Sequence, residues 1–197
     1  MKYSAFALKW VAATLTGILL ALTTGALAQT PGPAIVMKPG FSRAEALERI
    51  FADLAVAEND SIARYKTEEM WKIFLMTPDA ETAENMNRAL RARGGFNFEK
   101  AIGLLNAIIE RHPGYVEAWN QRATIRFLQR DFDASMADCE RVLDLEPRHL
   151  GCLSGMAIIF LRHQKKYDEG RAVLSRAMDL HPRIGEKSLL LEIPEGE

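Results

Sequence analysis

The chain is predicted to be an all-α solenoid of about three helix-turn-helix repeats behind one further helical hairpin, and the first reason is registration. Ala89, Ala123 and Ala157 recur at a period of 34 residues, and Phe98, Phe132 and Tyr167 recur at 34 and 35. Ala101, Ser135 and Gly170 keep the same register, and Pro113, Pro147 and Pro182 close each unit. The second reason is that every recurring position has a residue type suited to one place in a helical hairpin. The third is the helical spacing of apolar residues ahead of the repeats, in Ala46 to Leu54 and Ile62 to Phe74.

Small residues recur where two antiparallel helices must approach closely, so Ala123 on the first helix and Ser135 on the second are expected to leave room for one another. The aromatic at Phe98, Phe132 or Tyr167 opens the second helix and can pack back over the turn. The proline follows that helix because proline cannot continue it. Each unit therefore reads helix, turn, helix, stop.

These positions resemble the tetratricopeptide repeat family. Trp119, Ala123, Phe132, Ser135, Val142 and Pro147 of the middle unit occupy the family's places in order, while Arg122 and Arg126 stand where leucine and tyrosine are usual. The first unit, Thr82 to Gly114, has Asn85 in place of the leading Trp. The third, Leu150 to Arg183, has Leu153 there and one extra residue in its turn, near Lys165 and Lys166. The resemblance covers about half the chain and implies a right-handed superhelix whose first helices line a concave groove. Mapped repeat by repeat, that groove would hold Met86, Leu90 and Arg93; Asn120, Thr124 and Phe127; and Ser154, Ile158 and Leu161. Such a surface suits an extended peptide or a partner helix. Asn120, Thr124 and Ser154 do not reproduce the lysine and asparagine pattern of the family members that clamp a chaperone's C-terminal carboxylate. Trp119 is expected to be a buried core indole, and Trp71 a weaker case of the same.

The flanking segments are different. Residues 1–28 read as a signal peptide: Lys2 and Lys9 lead, Val11 to Leu22 is largely apolar, and Ala26-Leu27-Ala28 offers a cleavage site before Gln29. An uncleaved anchor in the inner membrane is the alternative, since Trp10 to Ala28 approaches the roughly 20 residues of a membrane span. Residues 29–41 read as a flexible, Pro-rich linker. In 42–77, Leu47, Ile50, Phe51 and Leu54 make one apolar stripe, Asp60 and Ser61 cap the next helix, and Ile62, Tyr65, Trp71 and Phe74 follow. This hairpin is read as a cap or a decayed repeat. Residues 78–183 hold the repeats, and 184–197 a tail whose Leu189, Leu190 and Leu191 can cover the last unit. The layout resembles small exported repeat proteins of Gram-negative bacteria, which places the mature chain in the periplasm.

Charge and motifs narrow the function. The full chain has 25 basic and 26 acidic residues, and removing the leader leaves a small negative excess with no basic patch, against a nucleic-acid surface. Cys139 and Cys152 lie at unequal distances from the turn at Pro147 and read as two buried apolar side chains. His112 and His181 share one structural position before the closing proline, where a histidine suits the helix dipole. His149 and His163 are isolated. No HExxH, CxxC or GxSxG is present, and Gly94-Gly95 reads as a turn. No catalytic residue, metal or cofactor is assigned. The expected function is a non-catalytic scaffold or adaptor of the cell envelope, the alternatives being a self-associating structural protein or an accessory subunit of an envelope enzyme.

Overall fold

A computed structural model describes residues 33–194. The leader, its cleavage site and the first linker residues lie outside the described residues. The described chain runs β1 (Ile35–Val36), α1 (Arg43–Ala55), α2 (Asp60–Phe74), β2 (Met76–Thr77), α3 (Ala80–Gly94), α4 (Phe98–Arg111), α5 (Val116–Leu128), α6 (Phe132–Leu145), α7 (Leu150–Ile158, continuing as a π-helical turn through Ile159–Gln164) and α8 (Tyr167–Leu180), ending in a 3-10 segment, Gly185–Glu192. The two short strands pair in parallel, Ile35 with Met76 and Val36 with Thr77, tying the linker to the entrance of the first repeat. The all-α repeat architecture is the one the registration predicts.

Local chemistry sets the helix starts. Side-chain oxygens of Ser42, Asn59, Asp79, Asn97 and Asp131 accept backbone N–H groups of the first turn in α1, α2, α3, α4 and α6, satisfying donors that have no partner inside a helix. For α2 the cap is Asn59, one residue before the Asp60 and Ser61 expected to serve: its Oδ1 receives both Ser61 N–H and Ile62 N–H.

The three turns inside the repeats share one device that is not glycine. Phe96, Arg130 and Lys165 are left-handed, with φ of 57°, 62° and 57°. In the first two, a backbone N–H reaches back five residues to end the helix, Asn97 to Ala92 O at 2.8 Å and Asp131 to Arg126 O at 2.9 Å. In the third, Lys166 N–H reaches back six residues, to Phe160 O at 3.0 Å. The extra residue of the third unit is thus taken up inside α7 as a π turn, the usual form of a single-residue helix insertion, and the turn at Lys165 and Lys166 keeps its geometry.

The small positions lie at the helix crossings. Ala89, Ala101, Ala123, Ser135 and Ala157 are all buried, and Ser135 Oγ donates to Ala123 O at 2.9 Å. The aromatics Phe98, Phe132 and Tyr167 are half-buried, and Pro113, Pro147 and Pro182 are exposed. Trp119 is a correction to the expected core indole: it is only partly buried, its Nε1 donating to Pro113 O at 3.0 Å and the Arg122 guanidinium lying 4.8 Å from the ring centre. The two unusual arginines share one acid. Asp138 on α6, with a side chain 3% exposed, accepts from Arg122 Nε at 2.9 Å and Nη2 at 2.7 Å, while Arg126 Nη1 lies 2.9 Å from it. A buried ion triad thus stands where leucine and tyrosine would have packed.

The hairpin α1–α2 turns its apolar stripe to the third unit and not to the first. Leu47, Ile50, Phe51, Leu54, Met70, Trp71 and Phe74 share one core with Leu150, Leu153, Ala177 and Ile184. Polar contacts reinforce this placement: Arg183 Nε donates to Ala57 O at 2.8 Å, Arg148 Nη1 lies 2.7 Å from Glu48, and Thr67 Oγ1 is 3.2 Å from His181 Nε2. Of the tail leucines, Leu189 packs beside Ala157, Leu161 and Leu174, whereas Leu191 is 89% exposed.

Candidate binding groove

The groove residues fall into two groups. Met86, Asn120, Ser154 and Leu161 are buried, while Leu90, Arg93, Thr124, Phe127 and Ile158 are half-buried. The division follows the hairpin. At the N-terminal ends of α5 and α7, Trp71 of α2 occupies the groove, its ring edge 2.8 Å from where a Cβ on Gly151 would stand. His149 meets both Trp71, at 5.6 Å between ring centres, and Phe74, at 4.5 Å, and Leu75 joins Met86 in the core of the first unit. Met86 and Ser154 therefore face protein already in place. Leu161 is taken by the crossing with α8: a Cβ on Gly170 would stand 2.3 Å from its Cδ2.

Beneath the plug lies a polar chain that sequence reasoning missed. Arg93 Nη1 on α3 donates to Gln121 Oε1 at 2.5 Å, and Gln121 Nε2 donates to Glu117 Oε1 at 2.5 Å. Asn120 Nδ2 adds a bond to the same oxygen at 3.0 Å. Glu117 Oε2 lies 3.3 Å from His149 Nε2, and His149 Nδ1 accepts the Cys152 N–H at 3.3 Å, which puts the ring proton on Nε2. Glu117 and His149 are 1% and 0% exposed. A buried carboxylate without such partners would be strongly unfavourable. Of this chain, only Arg93 and Asn120 were legible as groove positions. Glu117 and Gln121 are marked only by charge and amide on a helix face otherwise read as packing.

The open half is built from Leu90, Thr124, Phe127 and Ile158. Thr124 Oγ1 donates to Asn120 O at 3.0 Å, which uses the hydroxyl's only hydrogen-bond donor. Phe127 is held edge-on to Phe132 at 5.6 Å, and His163 stacks on Phe132 at 4.2 Å. Desolvation, with help from neighbouring Arg130, Arg162 and Lys165, keeps the His163 imidazole below its ordinary value. The groove offers partly exposed apolar groups on rigid helices, with no activated nucleophile among them.

The other candidate chemistry resolves into structure. Cys139 and Cys152 are free and buried in one apolar cluster. Burial pushes the Cys152 thiol up, and its hydrogen bond with Cys139 adds to this, so Cys152 is not a ready nucleophile. His112 Nε2 meets Asp79 at 2.8 Å and His181 meets Thr67. Among the described residues no group of three or more His, Cys, Asp or Glu is placed to hold a metal, and no helix is long and apolar enough to cross a membrane.

No protein-family model matches the chain. Over 59 residues it is 49% identical to a TPR repeat-containing protein of Rhizobium etli. Over that stretch its hairpins are similar to tetratricopeptide repeats. The matching stretch is 30% of this chain and 29% of the relative, so the chain spans under a third of the relative it matches. Two kinds of departure from the tetratricopeptide pattern are now explained, the two arginines by Asp138 and the inserted residue by the π turn. The departure that changes the candidate groove is the hairpin packed against part of it.

Proposed function

We propose that the protein is a non-catalytic adaptor, exported to the periplasm by its N-terminal leader, that holds a peptide or partner helix in the open half of its tetratricopeptide groove. The observation that carries this reading is the division of the groove. Leu90, Thr124, Phe127 and Ile158 stay partly exposed on three successive repeats, although a built-in hairpin covers part of the same surface. The open stretch crosses α3, α5 and α7, so a bound segment would run across the repeats and meet one apolar anchor on each. Binding would come from these anchors with few hydrogen bonds, the pattern of a helix or extended peptide on a rigid groove.

The test is in-cell photo-crosslinking with the reactive residue at Thr124 in the groove and, separately, at exposed Glu140 on α6. Capture of a discrete partner at Thr124 and not at Glu140 supports the adaptor. Capture at both positions alike, or at neither, refutes it. Fractionation of the same cells tests the export: a mature chain beginning at Gln29 in the periplasmic fraction supports it, and full-length protein in the cytoplasm overturns it.

A further inference from the structure

Away from the groove, a cavity of about 490 Å³ lies where the C-terminal half of α3 meets the start of α4, lined by Arg88, Arg91, Ala92, Gly95, Asn97 and Lys100. No basic run marks it in the sequence. Arg88 and Arg91 stand three residues apart on one helix face, and Lys100 joins them across the turn. All three are exposed. Arg88 bonds Asn85 Oδ1 at 3.3 Å, and no carboxylate pairs with Arg88, Arg91 or Lys100 among the described residues. By contrast, Arg111, Arg148, Arg162 and Arg183 each meet an acid. Nor are the three cations used to close α3, a place where basic side chains commonly serve. Its last carbonyls are taken by backbone instead: Arg91 O by Gly95 N–H at 3.0 Å, Arg93 O by Phe96 N–H at 2.9 Å and Ala92 O by Asn97 N–H at 2.8 Å. Glu84 and Glu99, the acids nearest in sequence, do not line the cavity. The positive end of α4 adds to the field, because Asn97 in the lining is its N-cap.

We propose that this cavity receives a phosphate group, its terminal oxygens held by Arg88, Arg91 and Lys100. Guanidinium forks and a lysine point charge both suit phosphate. Asn97 spends its Oδ1 on the Lys100 N–H, which leaves its amide hydrogens as further donors. Ala92 and Gly95 are small, so the lining gives little apolar surface and selects a hydrophilic anion over an acid with an apolar body.

Titration calorimetry on the full chain at fixed ionic strength tests this with glycerol phosphate, glycerol and succinate. Co-sedimentation with vesicles of phosphatidylglycerol or phosphatidylcholine tests the source of the phosphate. Glycerol phosphate should bind saturably, and glycerol and succinate should not. Arg91→Gln and Lys100→Gln should each weaken binding about fivefold, the upper range for an exposed ion pair, and the double variant should abolish it. Arg64→Gln, which removes an exposed charge from α2, should leave it unchanged. The altered side chains are exposed, so the thermal midpoints should stay with the parent. Binding of glycerol phosphate without retention on vesicles would assign the site to a soluble phosphate ester. Retention on phosphatidylglycerol and not phosphatidylcholine, weakened in both variants, would assign it to a lipid headgroup. Three results would overturn the inference: neither glycerol phosphate binding nor variant-sensitive retention on vesicles; succinate binding as tightly as the phosphate; or a double variant that binds like the parent or like Arg64→Gln.

Discussion

Removing the carboxylate of Asp138 tests whether the ion triad holds the middle repeat together. The acid is 3% exposed and the arginine side chains 13% and 25% exposed, so Asp138→Ala leaves two guanidinium groups facing one another with little water. Breaking a buried pair costs about 3–5 kcal/mol, and the partial access of Arg126 to solvent sets the lower end, about 3 kcal/mol. For a chain of this size that lowers the thermal midpoint by about 6–12 °C. Equilibrium guanidinium unfolding followed by far-UV circular dichroism reads it directly. The decisive arm is the triple variant Arg122→Leu, Arg126→Tyr, Asp138→Ala, which restores the usual apolar pair. It should recover to within about 1 kcal/mol of the parent or exceed it, because apolar replacement of a whole buried ion cluster is often neutral or stabilising. A loss under about 0.5 kcal/mol for Asp138→Ala, the size of an ordinary surface change, or a triple variant as weak as the single, would refute the reasoning.

Trp71→Ala should destabilise the chain by about 3–5 kcal/mol and Trp119→Ala by clearly less, since only Trp71 fills a core position; denaturant midpoints would show the order, and the reverse order would contradict the plugged groove. Gly170→Ala, which in an open helix would gain about 1 kcal/mol, should instead cost about 1–3 kcal/mol by pressing on Leu161, read as a lower melting temperature. Burial holds His181 below its ordinary 6.5, so the folded state keeps it neutral while the unfolded chain takes up a proton. Stability should be full above pH 6.5 and fall below it, and His181→Gln should flatten that slope in pH-dependent melting. Asp79, held down to about 2 chiefly by the Thr82 backbone N–H, places a second loss between pH 3.8 and 2, which Asp79→Ala should remove.

The repeat architecture was legible because its signals are local and steric. An alanine at a helix crossing or a proline after a helix declares itself within its own unit, and three units in register make the pattern unambiguous. What stayed hidden depends on partners far along the chain. The stripe of Leu47, Ile50, Phe51 and Leu54 announces that α1 packs on something, but not that the something begins at Leu150. The groove suffers for the same reason: Met86 has a groove position in the repeat, and Ala34 and Leu75, from segments outside the repeats, join it in one core. Arg122 and Arg126 looked like flaws until Asp138, sixteen and twelve residues on, supplied the counter-charge. The third turn was misplaced because counting shows that a residue was inserted, while the backbone decides where the strain is relieved. Gly94 and Gly95 drew attention to a turn whose left-handed residue is Phe96.

The placement of the N-terminal hairpin also bears on how the chain folds. In an open solenoid each repeat touches only its neighbours, so folding can begin anywhere and the ends can fray. Here residues 100, 114 and 126 positions apart are bonded, Glu48 to Arg148, Thr67 to His181 and Ala57 to Arg183. Closing such long loops delays folding, because chain entropy is lost before the contacts form. Once closed, the last repeat cannot peel away without also releasing the first helices. The linear array should therefore behave as a ring in its energetics and melt in one step, and trimming either terminus should loosen the opposite one.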